Sequence, residues 1–245
     1  MRGALVCLIA LLPALARAQD RAPLIADGRR PTAQFTPQRL SRFSRAKAQW
    51  LLRERLPCLG CHRLEGQGGA IGPDLTGVAD RRSAGFIFRM ITDPQATLAG
   101  SRMPRVAMPT EWARLVASYL ALGRTAGTES ADLTAPADSA RLSGIQDAGA
   151  LYQLLCAACH GASGAGDGFN AANLPVRPTA HADSAYLSGR PDDTLFDGVF
   201  AGGYILNQSH TMPAWGETLS REQIWSLVRY MRQLCRCAGP EWSRR

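Results

Sequence analysis

Two pentapeptides hold most of the chemistry open to this chain: Cys58-Leu59-Gly60-Cys61-His62 and Cys156-Ala157-Ala158-Cys159-His160. Two thiols three residues apart with an imidazole directly after them suit covalent attachment of a c-type haem. The thiols of Cys58, Cys61, Cys156 and Cys159 can add in pairs to the two vinyl groups of one porphyrin each. His62 and His160 then lie beneath the ring, where each can ligate iron. The motif therefore predicts two haem c groups and the redox chemistry they bring. A lone CxxC would equally suit thiol redox or zinc, but CxxCH found twice, each copy with a Met-Pro downstream, points to haem.

The sixth coordination position separates an electron carrier from a catalyst. Thioether ligation favours ferrous iron and raises the potential, and a following proline stiffens the loop that presents the sulfur. The second copy offers Met212-Pro213, eight residues before Ser220, a candidate helix cap. The first copy offers Met103-Pro104 and Met108-Pro109, and Met103 stands seven residues before Thr110, the expected cap there. The matching spacing favours Met103, because Met108 would need a much tighter return. Met90 and Met231 fall within helices and read as packing. His181 and His210 are alternative ligands in the second copy, with a surface role for His210 the plainer reading.

A ligating histidine usually gives its other ring N–H to a carbonyl or carboxylate. Gly72-Pro73-Asp74-Leu75, eleven residues after His62, is a turn suited to present the Pro73 carbonyl. In the longer loop of the second copy Pro178 is the corresponding choice, with Pro175 behind it. Arg81, Arg82 and Arg177 are either propionate partners or exposed arginines. Trp215 and Tyr204 are either neighbours of the haem edge or ordinary packing.

The elements that must place these groups repeat along the chain, with 98 residues between Cys58 and Cys156. Each copy reads as a helix, CxxCH, a Gly-rich loop, a short helix, Met-Pro and a final amphipathic helix. The leading helix of the first copy spans 40–56, and a middle helix over 83–92 stops before Pro94. The last helix runs from Thr110 to a C-terminal Gly123. In the second copy, Ala148 to Leu155 lead directly into Cys156, and Asp192 or Asp193 opens a middle helix that Gly202-Gly203 ends. Ser220-Arg221-Glu222-Gln223 is a capping box. Beyond it Ile224, Leu227, Val228, Met231 and Leu234 recur with helical period. No alternating strand pattern of useful length appears, so the expected class is all-α. Units this small bury a thin core, and a covalent porphyrin would fill the deficit.

At 245 residues the chain suits two small domains. The expected boundaries are a signal peptide over 1–18, an extended arm over 19–37, a first haem domain over 38–123, a linker over 124–145, a second haem domain over 146–237 and a tail over 238–245. The signal rests on Met1-Arg2, an apolar run from Ala4 to Ala16 and the cleavage pattern Ala16-Arg17-Ala18, and it predicts a periplasmic protein. Cys7 belongs to that segment. Cys235 and Cys237 form either a redox-active pair or a local staple at the end of the last helix, the staple being preferred. Residues 38–123 hold thirteen Lys or Arg against six acids, and residues 146–245 eight against nine. An exported haem protein meets little nucleic acid, so the basic first half suits an acidic patch on a redox partner or a peripheral contact with anionic lipid.

These residues resemble the class I cytochromes c, in particular tandem members with one fold per haem. The resemblance lies in Cys58-x-x-Cys61-His62 with Gly72-Pro73-Asp74-Leu75 and Ser101-Arg102-Met103-Pro104. In the second half it lies in Cys156-x-x-Cys159-His160-Gly161, Gly166-Asp167-Gly168 and Met212-Pro213-Ala214-Trp215-Gly216, and Tyr119 and Tyr230 sit at family-like positions of the final helices. It implies single-electron transfer by two haem c groups ligated by His62 with Met103 and by His160 with Met212, and no substrate site. Partners implied are a bc-type complex, a terminal oxidase or a dehydrogenase. The alternatives are a cytochrome subunit of a larger dehydrogenase and a di-haem enzyme such as a thiosulfate dehydrogenase.

Overall fold

A computed structural model of the chain describes residues 35–123, 142 and 144–243. The expected signal peptide with Cys7, most of the arm and most of the linker lie outside the described residues. Helix α1 spans Arg42–Trp50 and opens at Ser41, whose Oγ accepts from the Ser44 N–H at 3.0 Å. The helix widens into a π-turn over Leu51–Arg55, which turns the fully buried Leu51 and Leu52 inward. Extended Leu56 ends it, and after Pro57 the residues Cys58–Cys61 form the single turn α2.

A small hairpin not legible in the sequence follows, with β1 at Arg63–Leu64 and β2 at Gln67–Gly68. Its two-residue turn places Glu65 at φ 51° and Gly66 at φ 80°, the double positive φ that matches the twist of paired strands. Helix α3 (Ala84–Thr92) is capped by Ser83, α4 covers Pro94–Thr97 and α5 covers Thr110–Ala121. The expected cap at Thr110 is displaced by one residue. Pro109 takes the cap position, at φ −56° and ψ 140°, without a side-chain bond, and Thr110 is the first helical residue.

Helices α1 and α3 pack on α5 around Leu51, Leu52, Ile87, Val116 and Leu120. Phe35, at the end of the expected arm, is only 8 % exposed and stacks on Phe88 at 4.5 Å. Gln38 N–H bonds Ser118 Oγ at 3.0 Å, so the chain just before α1 is tied to α5.

In the second half α6 (Ala148–Leu155) is capped by Asp147, and α7 covers Ala157–His160. Asp183 caps α8 (Ser184–Ser188), and α9 covers Asp192–Ala201. Helix α10 (Arg221–Cys235) opens on the complete capping box of Ser220 and Gln223. Its stripe of Ile224, Leu227, Val228 and Met231 is buried against Leu151, Tyr152, Leu187 and Phe196. Each such aliphatic side chain contributes about 1.5–3 kcal/mol by leaving water. Helix α10 ends at Arg236, in the left-handed region at φ 50°, and a Cys235–Cys237 disulfide with a Cα separation of 5.1 Å closes around it. The two cysteines are thus a bonded pair, which both the staple and the redox-active reading allow.

The described residues from Phe35 onward pack as one unit. Their regular elements are helical apart from the hairpin, as the all-α expectation has it. Among them, no helix is long and apolar enough to cross a membrane.

Candidate functional site

In the second half the motif occupies the corner between α6 and α7. Cys156 ends α6, its carbonyl accepts from the N–H groups of Cys159 (3.1 Å) and His160 (2.9 Å), and the turn so formed sets both thiols and the imidazole on one face. A cavity of about 1100 Å³ opens beside it. Cys156, Cys159 and His160 contribute to its lining, and so do Met212, Trp215 and Leu227. The volume exceeds the ~300–1,000 Å³ of ordinary small-ligand pockets, as a large planar group requires. His160 Nδ1 lies 2.8 Å from the Thr179 carbonyl. A carbonyl can only accept, so Nδ1 carries the proton and Nε2 keeps its lone pair. Burial holds the imidazole below its ordinary pKa, against the pull of that carbonyl.

The loop that presents Met212 is anchored at both ends. Trp215 and Gly216 N–H groups bond the Val199 and Phe200 carbonyls at the end of α9, at 3.0 and 2.9 Å. Gly202, at φ 84°, lies so close that a Cβ there would stand 2.8 Å from the Met212 carbonyl. No side chain is tolerated at that position. The Gly202-Gly203 pair therefore ends α9 and also lets the methionine loop close over the cavity.

The first half repeats the local geometry of the motif. Cys58 and Cys61 flank α2, and His62 N–H bonds the Cys58 carbonyl at 2.9 Å. His62 Nδ1 meets the Pro73 carbonyl at 2.8 Å, the partner expected from the turn. Gly72 lies under the imidazole, where a Cβ would stand 2.5 Å from Cε1. Asp74 Oδ1 accepts from the Thr76 N–H at 2.8 Å, and the Thr76 bonds hold the Asp74 carboxyl below its usual range.

Met103 is partly buried; its N–H bonds Ser101 Oγ at 3.2 Å and its carbonyl accepts from Gln95 Nε2 at 2.6 Å. Met108 instead packs against the core with Leu75, Val106 and Trp112. It stands one residue before the Pro109 cap, as Leu219 stands one before the Ser220 cap. Leu219 is 5 % exposed in the second core, so Met108 fills the equivalent packing position.

None of the four motif cysteines pairs with another in a disulfide, so all four are available for thioether bonds. Burial pushes Cys58 to about 11, and Cys61 and Cys156 to about 12. A redox-active thiol needs the opposite shift. Among the described residues, no three or more His, Cys, Asp or Glu side chains gather around a metal-ion position, which a zinc site needs. In the second half the donor set and the cavity fit covalent haem, with paired thiols, an imidazole of fixed tautomer and a thioether sharing a pocket.

Several expected residues sit elsewhere. The carbonyl that receives His160 belongs to Thr179, not to Pro178. The Pro178 carbonyl is turned instead toward Gly166, where a Cβ would meet it at 2.6 Å, so the loop offers the next residue to the imidazole. Tyr204 is 58 % exposed beneath the Arg55 guanidinium and is no cavity wall. Arg81 bonds the Thr76 and Asp74 carbonyls, Arg82 lies over the Phe86 ring, and Arg177 borders the cavity with Nε on the Gly166 carbonyl. His210 lines a second cavity of about 600 Å³ with Arg53 and Arg63 of the first half.

His181 stacks on the His160 ring at 4.1 Å, with Nδ1 3.0 Å from the Tyr152 hydroxyl. It flanks the face of the proximal imidazole. Asn170 is fully buried between the two motifs. No local pattern marks Asn170 or Thr179, since their partners are brought up by the tertiary fold.

Comparison with known proteins agrees with this geometry. Residues 52–121 match the cytochrome c family, and residues 144–231 match the family described as cytochrome c oxidase, cbb3-type, subunit III. No curated protein matches. A chain of the reducing HAO-like protein complex of Kuenenia stuttgartiensis aligns with 81 % of this chain and 98 % of its own, at 19 % identity and a TM-score of 0.30, too low to carry fold or role across. Two cytochrome c family matches thus divide the chain between its two CxxCH motifs. The chain belongs to the class I cytochromes c as a tandem of two such domains, which bind haem c covalently and transfer electrons.

Proposed function

We propose that this protein is a periplasmic di-haem electron carrier, with His62 and Met103 serving the first haem and His160 and Met212 the second. The observation that carries the reading is the second-half cavity, which Cys156, Cys159 and His160 share with Met212. Haem c held there supplies an iron that gains or loses one electron at a time. The protein's part is to hold the ligands still. The Pro73 and Thr179 carbonyls fix each imidazole's tautomer and raise its basicity. Gly202 lets the Met212 loop seat, and the packing of Met108 leaves Met103 as the free thioether of the first half. With two protein ligands per iron no position is left for a substrate, which favours a carrier over an enzyme.

The cleavage pattern at residues 16–18 supports export, and domains over 38–123 and 146–237 follow the two motifs. The arginine-rich first half suits an acidic redox partner, such as a bc-type complex, a terminal oxidase or a dehydrogenase. The match of 144–231 to the cbb3-type subunit III family favours, as a second reading, a cytochrome subunit held within a larger complex. Carbon monoxide and azide test the absence of an open site. Neither should bind rapidly to either haem of the purified protein, and fast binding at one haem would transfer the assignment to the enzyme reading.

A further inference from the structure

Asn170 is the point where the two attachment motifs touch. It follows Phe169 in the loop after α7, and its side chain is 0 % exposed. Its Nδ2 donates to the Gly60 carbonyl at 2.9 Å, inside the first CxxCH, and to Cys159 Sγ at 3.3 Å, inside the second. Its Oδ1 accepts from the Ala70 N–H at 2.8 Å, and its own N–H bonds the Ala158 carbonyl at 2.9 Å. One amide thus joins the residue before Cys61 to the sulfur of Cys159. Behind Gly60 the contact is closed by the second half's methionine loop. A Cβ on Gly60 would stand 2.0 Å from the Thr211 carbonyl, next to Met212. The first motif is therefore held between Asn170 on one side and Thr211 on the other, with no room for a side chain.

We infer that Asn170 is a positioning residue that fixes the spacing of the two haem sites for direct electron exchange between them. The inference rests on the di-haem reading above. In the step it serves, one centre is oxidised by one electron and the other reduced by one, with no bond broken and no proton required. A fully satisfied buried amide has one geometry. It holds the two CxxCH turns at a set separation where apolar packing alone would permit sliding. The bond between the halves from the Arg105 N–H to Thr218 Oγ1, at 2.9 Å, reaches neither motif.

The test uses the full haem-loaded protein and three variants. Asn170→Leu keeps the side-chain size and removes all three side-chain bonds. Asn170→Asp keeps the acceptor for Ala70 and removes both donors. Asn170→Ala removes the same three bonds and the bulk of the side chain with them. Haem content and the visible spectrum of each variant check that both sites are intact. The rate of exchange between the centres is read from haem methyl line shapes in the half-reduced protein by NMR. All three variants should keep two haems with parental spectra while exchange slows severalfold, because electron tunnelling falls steeply with edge-to-edge separation. The mutual shift of the two midpoint potentials should shrink with it. Parental exchange in a doubly loaded Asn170→Leu protein overturns the inference; if that variant does not load, parental exchange in Asn170→Asp or Asn170→Ala does so. A wild-type protein with fewer than two haems would refute the di-haem reading instead.

Discussion

Gly72→Ala perturbs the first haem site through a single methyl. A Cβ at Gly72 would stand 2.5 Å from His62 Cε1, 2.6 Å from Nδ1 and 3.0 Å from Nε2. The imidazole cannot retreat freely, because Nδ1 is tied to the Pro73 carbonyl at 2.8 Å. The turn cannot retreat either, because the Gly72 N–H bonds the Cys61 carbonyl at 2.8 Å. Forcing the methyl in costs about 1–3 kcal/mol as overpacking, and loss of the His62 hydrogen bond adds about 0.5–1.5 kcal/mol. A total near 2–4 kcal/mol lowers the Tm by roughly 5–15 °C if the two halves melt as one unit of this size. Scanning calorimetry of the ferric, haem-loaded protein measures it, with the visible spectrum reporting loss of ligand order in one haem of two. Gly85→Ala in α3 is the contrast. Its Cβ meets only the mobile tip of Arg89 at 3.3 Å, and helix propensity favours alanine by up to ~1 kcal/mol. Should Gly72→Ala melt within about 2 °C of the parent with an unchanged spectrum, the packing argument for the His62 site is wrong.

Met103→Leu should abolish the sulfur-to-iron charge-transfer band of one haem, whereas Met108→Leu should keep both bands and cost under about 1.5 kcal/mol as a volume-conserving core change. Absorption spectra and urea melts of the two variants separate them. Ser220→Ala removes half of the capping box on α10 and should cost about 1 kcal/mol, read as a lower urea midpoint with an unchanged slope. His181, held well below the ordinary histidine pKa by burial and then by His160, is neutral in the folded protein. Below pH ~6.5 the unfolded chain therefore binds the extra proton, and stability falls as pH drops from there toward the carboxylate range. His181→Gln should flatten that slope in denaturant melts across the pH series.

What the sequence made legible is what short-range geometry decides. The Ser220 and Gln223 box, the Ser83 start of α3 and the Gly202-Gly203 stop of α9 each depend on neighbours within four residues, and each stands where the pattern put it. The Pro73 carbonyl was legible because a short, proline-stiffened turn separates it from His62. Thr179 was not, because nineteen residues of loop lie between it and His160, and the close approach of Gly166 to the Pro178 carbonyl decides which carbonyl faces the ring. The Glu65-Gly66 hairpin is too short for any alternation to register. Thr110 carried the right residue type for a cap but stands one residue inside the helix, after Pro109. Asn170 lies 110 residues from Gly60, and its importance exists only once the two motifs meet. His181 was visible as a spare imidazole, but only the fold shows that it lies against His160.

The most direct test of the account is the absorption spectrum of the ferric protein, normalised to polypeptide. Two covalent haems per chain, each contributing a sulfur-to-iron charge-transfer band at the red edge, are the predicted result. One haem per chain, or a band of half the intensity expected for two, would contradict it.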